Sequence, residues 1–461
     1  MKKTLFLFTI LLICIETSFA QTNPAITAWI QNHDGTTGRH YVANNPTPID
    51  DGVLANVQSV DYSDNWVYVS ATGIPSYITG PFLDNNPSLA TDQQAIYKIS
   101  LNPTQNTGTA TNTTGGNIGV FVNGVSLFDY RDGVRWDNNN NRLCGGPGNP
   151  PCSGGPQANR DWNRDAIPAE MGGFDCNKAH PAMGNYHHHQ NPSAFDLDLL
   201  VVSDVCDTYP ADGLYVIDVN AHSPLIGFTY DGFPIYGAYA YKNTDGTGGI
   251  ARMKSSYTLR NITTRVNGPY VGQVFTIQNG PNAGSQQVMD LGYFREDYEY
   301  INNSEPDYLD EHNGRFAVTP DYPQGVYAYY ATVDENHNSA YPYVVGPTYY
   351  GNVTGTDVNT INENTTNYDS NLSVVELPEN SLDLKIYPNP TQDFIAIQSN
   401  LLDKTLQLEL VNELGQVVLE SEILSGSTLS VLETHTLYNG IYFLKVSYEE
   451  QQKSYKIIIN K

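Results

Sequence analysis

The stretch Leu225-Ile226-Gly227-Phe228-Thr229-Tyr230-Asp231-Gly232-Phe233-Pro234-Ile235-Tyr236-Gly237 decides the fold class. An apolar run enters an Asp-Gly pair and leaves through Pro234 into a second apolar run. Asp-Gly between two such runs is a strong hairpin signal, because both turn residues readily take positive φ. The rest of the chain repeats this grammar. Short runs of Tyr and β-branched residues alternate with Asn, Gly and Pro, and the chain holds 33 Tyr, 39 Gly and 27 Pro. Tyr and β-branched residues favour strands, and the others supply turns. Stretches with a helical period are hard to find, so a mainly β protein is expected. At 461 residues the chain exceeds one ordinary domain.

Upstream of the hairpin lies Asn185-Tyr186-His187-His188-His189, with His180 seven residues before His187. On a strand, alternate side chains share a face. His187 and His189 then point one way, and Tyr186 and His188 the other. Two imidazoles about 6–7 Å apart at the backbone can converge on one metal ion. Imidazole suits zinc, copper, iron and nickel. The expected site is a divalent metal, zinc or copper, held by His180, His187, His189 and Asp231. If Asp231 serves only the turn, Glu311 or His312 stands in reserve. The alternative is that these histidines belong to a polar surface or a hydrogen-bonded tyrosine cluster.

Two other groupings carry polar chemistry. Asp310, Glu311, His312 and Arg315 fall within six positions. They suit metal ligation or acid–base work, or equally a loop in which Asp310 hydrogen-bonds and Arg315 pairs with a carboxylate elsewhere. Tyr327, Tyr329, Tyr341 and Tyr343 suit either a sugar-binding aromatic surface or a tyrosine-rich β core. There is no Gly-x-Ser-x-Gly elbow, His-Glu-x-x-His helix or phosphate loop.

The N-terminus reads as a secretory signal peptide over 1–20: Lys2 and Lys3, an apolar run from Leu5 to Ile15, then Thr17-Ser18-Phe19-Ala20. Cleavage after Ala20 leaves Gln21 first. Cys14 raises a lipoprotein reading, against which the bulky Ile13 precedes it. No later run approaches the ~20 apolar residues of a membrane helix. Cys144, Cys152, Cys176 and Cys206 remain for disulfides in an oxidising compartment. Cys144 and Cys152 bracket a Gly/Pro loop that closes easily, and Cys176 with Cys206 then braces the histidines. Three pairings remain open. The formal charge of −26 argues against nucleic acid and anionic membrane as partners, and leaves calcium admissible.

A composition break divides the chain. Residues 351–381 are rich in Asn and Thr and lack an apolar period, so a flexible linker is expected there. It separates a large β-rich domain at 21–350 from a small β-sandwich at 382–461. Within the latter, IYPNPTQDF, the turn NELGQVV, the run NGIYFLKV, and a last strand carrying Lys456 with Lys461 at the end resemble the C-terminal sorting domain of the type IX (Por) secretion system of Bacteroidetes. That resemblance implies export across the outer membrane, type IX machinery as partner, and a secreted or cell-surface protein.

The larger region resembles the YHYH family. Tyr186, His187 and His189 match the first, second and fourth positions of the family's motif, and His188 stands where the second tyrosine would be. Phe174-Asp175-Cys176 and His180-Pro181 resemble the approach to it. LIGFTYDGFPIYG matches the second motif, and YPQGVYAYY with YPYVVG matches the closing strands. LDEHNGR resembles the Asn-Gly segment, with His312 where relatives often carry cysteine, which puts a disulfide borrowed from them in doubt. NWVYVSATGIPSY and GNIGVFVNGVSLF extend the resemblance over about 25–350. The family implies no settled activity. Two functions follow: an extracellular metal-binding module or metal-dependent enzyme acting on an extracellular substrate, or a non-catalytic surface protein binding glycan or matrix through aromatic loops.

Overall fold

The computed structural model describes residues 23–461 apart from 84–87, 147–148, 156–159, 195–205, 207, 210–211, 277–283, 371–383, 400–404, 413–415, 426–428 and 449–450. The signal peptide expected at 1–20, with Cys14, lies outside the described residues. The chain divides into two units between Ser370 and Asn371.

The first unit is organised by an eight-stranded mixed sheet. In chain order its strands are β1 (Asn117–Phe121), β2 (Ser126–Phe128), β3 (Ala179–Ala182), β4 (Asn185–His188), β5 (Leu225–Thr229), β6 (Pro234–Tyr236), β7 (Gly314–Ala317) and β8 (Val326–Tyr330). Across the sheet they run β3-β4-β2-β1-β5-β6-β8-β7. The Asp-Gly hairpin is β5–β6, with Phe228 opposite Pro234 and Gly232 at φ +86° in the turn. β5 also pairs with β1, and β6 runs parallel to β8. A Cβ on Gly227 would meet the Val120 carbonyl oxygen at 2.6 Å, so glycine is what lets β5 and β1 close.

This sheet is buried on both faces, which is why its strands read as aromatic runs rather than alternating ones. Along β8, Tyr327 and Tyr329 enter one apolar cluster while Ala328 and Tyr330 enter the other. On one side lies a five-stranded antiparallel sheet, in the order Thr356–Val358, Ala95–Ser100, Trp66–Ala71, Val57–Tyr62 and Thr366–Tyr368. Its Val57, Val60, Val67, Val69, Tyr97 and Ile99 pack with Val120, Phe228 and Tyr330. On the other side Phe121, Ile226, Ile235 and Tyr329 pack with Tyr341, Tyr343, Val344 and Val345. Tyr327, Tyr329, Tyr341 and Tyr343 are all buried, so they form core and not an exposed platform.

The expected linker over 351–381 needs correction. Thr356–Val358 pairs with Ala95–Ser100, and Thr366–Tyr368 pairs with Val57–Tyr62, closing both edges of the five-stranded sheet. Backbone pairing holds them there, with Tyr368 packing against the core and Asp357 accepting from Asn117 and Tyr230. Residues 351–370 therefore belong to the first unit, and 371–381 lie outside the described residues. Disulfides join Cys144 to Cys152 and Cys176 to Cys206.

The second unit is a β-sandwich. A three-stranded sheet runs Leu384–Tyr387, Phe394–Ser399, Leu429–Glu433. A four-stranded sheet runs Val417–Ile423, Leu406–Asn412, Gly440–Tyr448, Gln451–Ile459. Ile395 and Ile397 of the first share a core with Leu408, Leu444 and Ile457 of the second. The chain is thus mainly β in both units.

Candidate metal centre

The histidine segment forms the outer hairpin of the eight-stranded sheet. β3 and β4 pair antiparallel with His180 directly opposite His187, across a two-residue turn at Met183 and Gly184, both at positive φ. β4 continues parallel to β2, placing His187 beside Ser126. Asp175 braces the approach. Its carboxylate accepts from the amides of Gly80, Asn177 and Ala179 and from the Tyr186 hydroxyl, at 2.8–3.2 Å. Burial pushes the Asp175 carboxyl up to about 6, against these four hydrogen bonds. Tyr186, the first residue of the YHYH-like run, is therefore a strut.

Alternation along the strand separates the three adjacent imidazoles. His188 turns inward to bond the Tyr77 hydroxyl through Nε2 at 2.8 Å, packed edge-on against Phe121 and Tyr186. His187 and His189 turn to the other side, and their Nε2 atoms face each other at 3.1 Å. His180 joins them, with ring centroids 4.8 Å from His187 and 5.7 Å from His189. All three offer ligand atoms within 4.8 Å of one another and are buried. Phe128 stacks on His187 at 3.9 Å, and Phe174 meets His180 edge-on at 4.8 Å, which holds both rings in orientation.

The tautomers follow from the backbone. His187 Nδ1 lies 2.8 Å from the Asn185 carbonyl, and His189 Nδ1 lies 2.8 Å from the Asp129 carbonyl. A carbonyl only accepts, so each Nδ1 carries the hydrogen. Burial, reinforced by the neighbouring imidazoles, keeps both rings neutral. It holds His187 well below the ordinary histidine value and His189 at about 4, despite the pull of Glu170 on the latter. Each Nε2 is then a bare lone pair. Two lone pairs 3.1 Å apart cannot hydrogen-bond. A cation between them relieves the contact. Tetrahedral ligands at 2.0–2.1 Å place neighbouring donor atoms about 3.3 Å apart. Donation of the other ring nitrogen to a carbonyl is also the usual support for a metal-bound histidine. Asp129, which holds His189, is itself fixed by the Arg131 guanidinium at 2.9 Å.

Sequence reasoning missed Glu170. It ends helix α1 (Ala166–Glu170), and its Oε2 lies 3.3 Å from His180 Nε2 and 3.6 Å from His189 Nε2. Burial pushes its carboxyl up, but the hydrogen bond to His180 and the nearby Arg164 guanidinium outweigh that and hold it below the usual glutamate range. Asp165 N-caps α1 by accepting from the Ile167 amide at 2.9 Å. Only this cap before a short helix was legible; nothing in the spacing aims Glu170 at His180.

Asp231 is not part of the cluster. Its carboxylate accepts from the Tyr329 hydroxyl at 2.6 Å and the Gly351 amide at 2.8 Å, and bonds the Thr229 hydroxyl. The β5–β6 turn directs it into the core, where it ties the hairpin to β8 and to the segment after it. Glu311 and His312 are elsewhere too. His312 Nδ1 bonds the Thr348 hydroxyl at 2.8 Å, and Asp310 holds the amides of His312 and Gly314 and the Tyr327 hydroxyl. Arg315 donates to the carbonyls of Lys242, Pro306 and Tyr241, so it anchors a loop rather than pairing with a carboxylate.

With this geometry in view, the family model described as YHYH protein matches residues 96–342, more than half of the 461-residue chain. The chain belongs to the YHYH family. In this chain the Tyr-His-His-His run supplies a strut at Tyr186, imidazoles at His187 and His189 that face His180, and an inward imidazole at His188. Residues 385–460 match the secretion system C-terminal sorting domain. That tail indicates handling by type IX machinery and a secreted or outer-surface location. Among the described residues no helix is long and apolar enough to cross a membrane. No curated protein matches. A solved structure, dimeric latent PorU from Porphyromonas gingivalis, matches at 14% identity and a TM-score of 0.16 over 24% of this chain. The match spans only 11% of that structure's chain and carries no argument.

Proposed function

We propose that this exported YHYH protein holds a zinc ion between its outer hairpin and helix α1, with His180, His187 and His189 as ligands. The observation that carries the reading is the 3.1 Å approach of two Nε2 atoms in rings whose single N–H, on Nδ1, is committed to a carbonyl on the far side. Three nitrogen donors argue for a borderline transition metal and against calcium, which takes oxygen ligands. Zinc takes three imidazoles readily, and copper is another imidazole-binding ion that elemental analysis distinguishes. Burial of Tyr327, Tyr329, Tyr341 and Tyr343 removes those residues from a glycan-binding platform.

Elemental analysis after dialysis tests the proposal. Wild type should retain about one zinc per chain, and the His187→Ala/His189→Ala variant none. The His188→Ala control should retain it. Equal metal content in wild type and the double variant would remove the site.

A further inference from the structure

We propose that Glu170 is the fourth zinc ligand, so that the centre is closed and acts as a clasp pinning α1 to β3 and β4. This rests on the zinc reading above and adds what kind of zinc site it is. The donor set has the shape such a site needs. His187 Nε2 to His189 Nε2 is 3.1 Å, His180 Nε2 to Glu170 Oε2 is 3.3 Å, and His189 Nε2 to Glu170 Oε2 is 3.6 Å. These three separations lie near the ~3.3 Å edge of a zinc tetrahedron, and the ligand atoms of the three imidazoles lie within 4.8 Å of one another, so a bound ion would draw His180 slightly inward.

The surroundings agree. The imidazoles come from adjacent strands of one sheet, whereas Glu170 comes from a separate short helix, so a metal joining them cross-links elements that nothing else in the donor set connects. The Glu170 side chain is 26% exposed, against 11% for His180 and 4% for His189. Among these donors the Glu170 side chain is therefore the one most open to solvent. Zinc sites with four protein ligands are structural, whereas catalytic ones keep a position for water. α1 is already positioned to deliver the carboxylate. Asp165 caps its first turn and accepts the Tyr343 hydroxyl at 2.7 Å, tying its N-terminal end to the core.

Cobalt(II)-substituted full-length protein tests this, with azide as the exogenous ligand and visible absorption as the readout. The wild-type spectrum should be four-coordinate and unchanged by azide. Glu170→Ala should open a position, respond to azide, and bind cobalt more weakly than wild type by over about 100-fold, beyond the 10–100-fold typical of an outer-sphere partner. A wild-type spectrum that shifts with azide overturns the inference and leaves the zinc reading standing, and it does so even if the variant fails to fold. A loss of affinity within the outer-sphere range does the same. Wild-type protein that takes up no cobalt overturns both.

Discussion

Replacing Asp231 by Ala should cost the first unit much of its stability and leave its metal in place. Asp231 and Tyr329 are both fully buried. The substitution strips the acceptor from the Tyr329 hydroxyl and the Gly351 amide, at 2.6 and 2.8 Å, and takes a partner from the Thr229 hydroxyl. The Thr229 hydroxyl retains the Phe233 carbonyl at 3.0 Å, so two donors are orphaned rather than three. At roughly 1–3 kcal/mol for each buried unsatisfied group, the expected loss is about 2–6 kcal/mol. That is a large share of the ~5–15 kcal/mol of an ordinary domain. Urea unfolding followed by tryptophan fluorescence is the assay, because Trp29, Trp66, Trp136 and Trp162 are all four tryptophans of the chain and all lie in the first unit. Zinc content is measured on the same folded sample. A loss below about 1 kcal/mol would refute the hydrogen-bond account. Zinc lost from a still-folded variant would return Asp231 to the ligand set.

Two further outcomes follow from buried polar groups. His188→Ala removes a fully buried ring and its 2.8 Å bond to Tyr77, and should destabilise by about 2–4 kcal/mol in the same urea assay; a neutral effect would contradict its role as a core strut. Burial pushes Asp165 up to about 8 against the hydrogen bonds from Tyr343 and Ile167, so between about pH 4 and 8 the folded state holds a proton the unfolded state has released. Stability should then fall as pH rises through that window, by up to about 1.4 kcal/mol per unit, and Asp165→Asn should flatten the slope in a thermal-melt series; an unchanged slope would show that Asp165 is ionised throughout.

What the sequence disclosed were the features encoded by local period and turn chemistry. The Asp-Gly pair placed β5–β6, and alternation along Asn185–His189 separated His188 from His187 and His189. The tail's alternating runs and Pro-Asn-Pro stop placed its sandwich. The features that escaped depend on distant partners. Thr356–Val358 and Thr366–Tyr368 are largely solvent-facing edge strands, so pairing with Ala95–Ser100 and Val57–Tyr62 leaves no apolar signature and the segment reads as linker. Asp231 was legible as a turn residue and as a buried carboxylate, but its partners Tyr329 and Gly351 lie 98 and 120 residues away, and they decide that it is structural. Glu170 reaches His180 only because the core holds α1 against the hairpin, which no spacing rule encodes.

The central claim is that a metal ion sits where the Nε2 atoms of His187 and His189 meet. Anomalous diffraction at the zinc edge from crystals of the purified protein tests it most directly. The account predicts a single strong peak about 2.0–2.1 Å from the Nε2 atoms of His180, His187 and His189. A zinc-replete crystal with no peak there would contradict it.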